Sequence, residues 1–219
     1  MLIFIIGDFL YSTLPFLLSI VYHTFMPHSS GENTYRRLLK SDIFGVWLIC
    51  TFGPLSSVYT GLYCNPNTLT LFVATYFMLS AVVLYYLMVQ DCKKKRVAAL
   101  TTQFVLRVLI HPLRLSPLSQ SSTDAVYYYI IMDIITSIGA LINIYHVPER
   151  WMPGKVDYVF NSHSLMHVTA VLGLLVGKYG FFSDMHWLNN VASCHSIVNE
   201  GVWPTWKELT RAIFLLFGG

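Results

Sequence analysis

The chain has 219 residues, of which 55% are hydrophobic, 15% aromatic and only 11% charged, with a formal net charge of +3. A water-soluble domain carries about a quarter charged residues because its surface faces water, so this composition excludes a soluble enzyme and a disordered chain. No basic stripe interleaved with aromatics accompanies the small positive excess, which excludes a nucleic-acid footprint.

Six apolar stretches are long enough, or nearly so, to enter lipid: 2–26, 43–64, 68–90, 97–113, 125–146 and 163–182. A hydrocarbon layer of about 30 Å needs about 20 helical residues. All six are predicted to be helices, because lipid offers no water to satisfy a backbone amide, and none shows the in/out alternation of a barrel strand. The fold class is therefore all-α, a polytopic transmembrane helix bundle. The first stretch follows Met1 without a basic segment or a small-residue cleavage site, so it is not expected to be a signal peptide. The fourth is short and carries Arg107. After 182 the character changes: Trp187, Trp203 and Trp206 stand among polar residues, and 212–217 form a short apolar run expected at the interface. This divides the chain into a bundle over 1–182 and a C-terminal tail over 183–219.

Lys and Arg set the orientation. Loop 27–42 holds Arg36, Arg37 and Lys40, loop 91–96 holds Lys93 to Arg96, and loop 147–162 holds Arg150 and Lys155. Of the alternate loops, 65–67 holds none and 114–124 only Arg114. Nine against one puts the first, third and fifth loops in the cytoplasm and both termini, with the tail, on the lumenal or extracellular side. Cys64 and Cys194 then share an oxidising side, where a bridge between them is open. Cys92 abuts the Lys93–Arg96 run, which is expected to anchor orientation and meet anionic lipid heads. Arg107 and Asp133 fall at similar depth on neighbouring helices and suit a buried ion pair; Asp8, near the lumenal end of its helix, is expected to reach water. Glu149, Arg150, Lys155 and Asp157 can pair within their loop.

The residues able to carry chemistry gather at the cytoplasmic boundary. His163 and His167 are four apart at a helix start, so both imidazoles project from one face and can share a metal; a hydrogen-bonded pair at the interface is the plainer reading. The loop charges, counted without any histidine, place His23, Asp42, His163 and His167 at one depth. Three neutral imidazoles with one open position form the ligand set of a hydrolytic zinc centre, in which a coordinated water reaches a pKa of about 7. Asp42 is placed to orient that water or to fix a histidine tautomer, and Ser19, one turn before His23, to hydrogen-bond the water or a substrate carbonyl.

These residues resemble a known family. The run from Val147 to His167, VPERWMPGKVDYVFNSHSLMH, is similar to the Pro-Glu-Arg-x-x-Pro-Gly-Lys-x-Asp segment and Ser-His-x-x-x-His motif of the progestin and adipoQ receptor family, which includes the adiponectin receptors and the bacterial hemolysin III proteins. SIVYHTFMPHS from Ser19 to Ser29 and LLKSDIFGV from Leu38 to Val46 resemble its Ser-x-x-x-His-Thr and Asp motifs. The resemblance implies Zn2+ as cofactor, with His23, His163 and His167 as ligands and Asp42 and Ser19 contacting zinc-bound water. His28 matches a family histidine that is not a ligand. The family has seven helices and an acidic motif leading into the first, so the sequence is expected to start within what would be the second.

Two functions follow as expectations. The resemblance implies an integral membrane receptor of the endomembrane system or plasma membrane, with membrane lipids as surroundings, a lipid or steroid ligand, and zinc tying helices together. Its likeness to alkaline ceramidases implies instead a lipid amidohydrolase acting on a ceramide-like amide, with Asp42 as proton carrier. A non-catalytic scaffold for other membrane proteins is the third reading.

Overall fold

The computed structural model describes residues 2–25, 31–119, 122–156 and 160–190. Every regular element among them is an α-helix. His28, Asp157, Cys194, Trp203, Trp206 and the tail past 190 lie outside the described residues.

The first expected span is α1 (Leu2–Phe25). The second is broken into α2 (Glu32–Phe52) and α3 (Leu55–Gly61) at Gly53-Pro54, where proline has no amide to continue the ladder. The third is α4 (Pro66–Val89), and the fourth is α5 (Lys93–Val108) with a short α6 (Ile110–Arg114). The last two are α7 (Thr123–Tyr145) and α8 (Ser162–Asn190). The stretches Glu32–Gly61, Pro66–Val89, Thr123–Tyr145 and Ser162–Leu188 are each long and apolar enough to cross a membrane.

Three expectations need correction. The second helix begins at Glu32, not at 43, because Glu32 and Arg36 pair one turn apart at 2.8 Å and extend the helix through the polar segment taken for a loop. Arg114 is not a loop charge. Its side chain is 1% exposed and bonded to Asp184 of α8 at 2.8 Å, and α8 itself runs past 182 to Asn190. Asp8 is not left to solvent alone: its part-buried side chain is ion-paired with Lys178 and accepts the Tyr11 hydroxyl at 2.6 Å. The expected Arg107–Asp133 pair is present at 2.6 Å, and His111 joins it, its Nε2 2.7 Å from Asp133.

The polarity of the bundle is reversed relative to a soluble protein. Leu71 and Met78 stand 70% and 71% exposed, while Gln103 and Asp184 are sealed inside. Gln103 donates to the Thr51 and Ser80 hydroxyls at 3.1 and 2.9 Å. Such an arrangement suits a lipid solvent, in which the outer face must be apolar and each interior polar group must find a protein partner.

α7 and α8 pack closely because glycines line their contact. A Cβ on Gly139 would collide with the Thr169 side chain, and one on Gly177 with Met132. α1 packs along α2 and α8 along α7, leaving little direct backbone packing between α1 and α8. Those two helices meet through side chains.

Candidate metal centre

His23 stands in the last turn of α1 and His163 in the first turn of α8, with His167 one turn further. The start of α8 is set by two side chains. Asn161 accepts the Ser164 amide at 2.8 Å, as an N-capping residue does, and Glu149 accepts both the amide and the hydroxyl of Ser162 at 2.8 and 2.7 Å. Ser162 is buried and immediately precedes His163, so the loop carboxylate seats the helix at its first ligand position. Burial pushes the Glu149 carboxyl up, but hydrogen bonds from its own amide and from Ser162, with the nearby His146, outweigh this and hold it below the usual range.

The three imidazoles converge on one point. His163 Nε2 lies 3.0 Å from His23 Nε2 and 3.2 Å from His167 Nε2, and one ligand nitrogen from each ring falls within 4.8 Å of the others. A ring nitrogen carries either one proton or one lone pair, so a neutral His163 can satisfy only one of these two contacts by hydrogen bonding. A divalent cation satisfies all three. Two nitrogens held at 2.0–2.1 Å in a tetrahedral site are separated by about 3.3 Å, close to the two distances from His163, while the third pair, His23 and His167, lies within 4.8 Å. The residues present therefore fit a metal.

Asp42 lies ten residues into α2, about three turns along the helix rather than at its N-terminal end as expected. It is near enough for its charge to act on His163, His167 and Tyr22. Ser19 is buried one turn before His23, and its Oγ has no hydrogen-bond partner among the described residues. All five expected residues thus sit around one end of the bundle. The same end carries the start of α2 and the turn after α4, joined by an Arg36–Asp91 pair at 3.2 Å.

Sequence reasoning did not give a site role to Glu149 or Asn161. Asn161 had a local signal, an Asn three residues before an amide at a helix start. Glu149 had none, because its partner is 13 residues away across a loop. Cys64 is disulfide-bonded, while Cys194, its expected partner, lies outside the described residues; Cys50 and Cys92 are free.

Residues 1–177 match the haemolysin-III-related family. A human protein, progestin and adipoQ receptor family member 4, is 33% identical over 169 residues, covering 77% of this chain and 62% of its own length. The Drosophila melanogaster adiponectin receptor protein is 29% identical over 170 residues, 74% of this chain and 38% of its own. Heptahelical transmembrane protein 4 of Arabidopsis thaliana is 28% identical over 164 residues, 72% and 42%. The chain thus spans less than two thirds of the length of these relatives. With the family match running from the start of α1 well into α8, and with an apolar exterior around a polar interior, this chain is an integral multipass membrane protein belonging to the haemolysin-III-related, progestin and adipoQ receptor family.

Proposed function

We propose that this protein is a receptor-like membrane protein of lipid or hormone signalling whose helices are joined by a zinc ion held by His23, His163 and His167 near the cytoplasmic face. One observation carries the reading: three Nε2 atoms from two helices meet at distances that hydrogen bonding alone cannot satisfy. The charge asymmetry of the loops supports the cytoplasmic side. Bound there, zinc supplies a cross-link between helices and, at an open position, a Lewis acid for a carbonyl oxygen. Metal analysis of the purified protein tests this: one zinc per chain is expected in wild type and its loss in His163→Ala, and a metal-free wild type overturns it.

A second reading, a lipid amidohydrolase, is favoured by the unpartnered Ser19 Oγ. Ser19 would hydrogen-bond the carbonyl of a ceramide-like amide, and Asp42 would take a proton and return it to the leaving amine. Asp42→Asn is then expected to keep zinc and lose release of fatty acid from short ceramides. Full turnover in that variant overturns the catalytic reading and leaves the structural one standing.

A further inference from the structure

Asp8, Ser12, Ser19 and His23 recur along α1 at spacings of four, seven and four, which puts all four within about 60° of arc. Ser12 and Ser19 are buried. On α8 the residues His163, His167, Leu174 and Lys178 form a similar stripe. The stripes meet at both ends. His23 meets His163 and His167 at one, and Asp8 pairs with Lys178 at the other. Fifteen residues separate Asp8 from His23, and the same number separates His163 from Lys178, about 22 Å along each axis. The far clamp is well made: Tyr11 donates to Asp8 Oδ1 at 2.6 Å, and Lys178 Nζ reaches Ser12 Oγ at 3.4 Å and stands 5.7 Å above the Tyr11 ring.

We propose that the Asp8–Lys178 pair is a positioning device for the metal centre, fixing the rotation and axial register of α1 against α8 so that His23 meets its partner ligands. This rests on the zinc reading above. α1 is held by α2 and α8 by α7, with little packing between α1 and α8, so these two side-chain contacts set how the ligand-bearing helices face each other. A slide of one residue along α1 turns it by about 100° and shifts it by about 1.5 Å. That carries His23 away from the 3.0 Å contact with His163. A part-buried ion pair between two apolar helices is costly enough to ask for a reason, and a register lock is the use of buried ionic groups with the best precedent. The equal spacing on the two helices supplies the geometry such a lock requires.

The test measures the zinc dissociation constant by chelator competition, and the visible absorption of the cobalt-loaded protein, for wild type and three variants. Lys178→Met is expected to bind zinc roughly 5- to 150-fold more weakly, the range of coupling between distant sites, and to distort the tetrahedral cobalt spectrum. Lys178→Arg, which keeps the cation, is expected to bind like wild type. The exchanged pair, Asp8→Lys with Lys178→Asp, is expected to recover most of what Lys178→Met loses. Unchanged zinc affinity in Lys178→Met overturns the proposal, also when the metal-free variant melts earlier, since that marks a stabilising role alone. If Lys178→Met fails to fold, the exchanged pair decides: folded with near wild-type affinity supports the lock, and folded with weak affinity overturns it. A wild type that binds no zinc defeats the zinc reading and this inference with it, whereas normal zinc in both wild type and Lys178→Met defeats this inference alone.

Discussion

Arg114 and Asp184, 70 residues apart in sequence, face each other as a two-point fork, with Nη1 3.0 Å from Oδ2 and Nη2 2.8 Å from Oδ1, and side chains 1% and 0% exposed. The Ser122 carbonyl accepts the second Nη2 proton, the Ser57 carbonyl and Thr60 hydroxyl share the second Nη1 proton, and Tyr129 donates its hydroxyl to Asp184. The pair ties α6 to α3 and α8 at the end of the bundle opposite the histidines.

Removing one partner leaves the other charge buried without compensation. Asp184→Ala is expected to cost about 3–5 kcal/mol, and a double replacement of Arg114 and Asp184 by apolar residues of similar size to cost less. Thermal unfolding in detergent checks both, and a double variant less stable than Asp184→Ala contradicts the argument.

If zinc joins α1 to α8, it stabilises the folded bundle by mass action. At a free concentration of 100 times the dissociation constant the effect is about 2.7 kcal/mol. Chelation should therefore lower the unfolding temperature of wild type and leave His167→Ala unmoved. An equal fall in both contradicts the cross-link.

Gly177 lets α8 approach α7 where Met132 stands against it. Gly177→Leu is expected to cost about 1–3 kcal/mol through overpacking. A thermal melt of this variant beside Gly177→Ala should show the loss growing with side-chain size. A flat series would show that the helices give way freely.

Glu149 has its carboxyl pKa held below the usual range: burial raises it, but bonds from its own amide and from Ser162 outweigh that cost. A depressed folded pKa means stability that is present above the unfolded value of about 4.3 and lost as pH falls through the folded one. Glu149→Gln should melt below wild type at neutral pH, with the gap closing in acid. Measuring metal-free protein keeps ligand protonation out of the comparison, and a gap independent of pH would contradict the role of the carboxylate charge.

The helical type and rough placement of the apolar stretches were legible in the sequence because lipid leaves one backbone solution to an apolar run, the helix, but of the six stretches expected to span, four form helices long and apolar enough to cross among the described residues. The histidine cluster was legible too. His163 and His167 announce themselves through a local four-residue spacing, and His23 joins them once loop charges assign its depth. The break at Gly53-Pro54 was missed by reading 43–64 as one helix, although Gly-Pro is a turn signal. Helix ends were less legible at Glu32, where charges that satisfy one another along the helix look like a loop.

What the sequence by itself determined is the solvent this chain expects, its helical class, its orientation bias and the residue types offered to a metal. Only the tertiary structure decided which charges stay in the bundle. Arg114 and Asp184 are sealed inside by each other, 70 residues apart, and the part-buried Asp8 and Lys178 are paired across 170 residues, and no local pattern records such a distance. A buried charge is tolerated only when its counter-charge arrives at the same point, and that meeting is a property of packed helices rather than of any segment read alone.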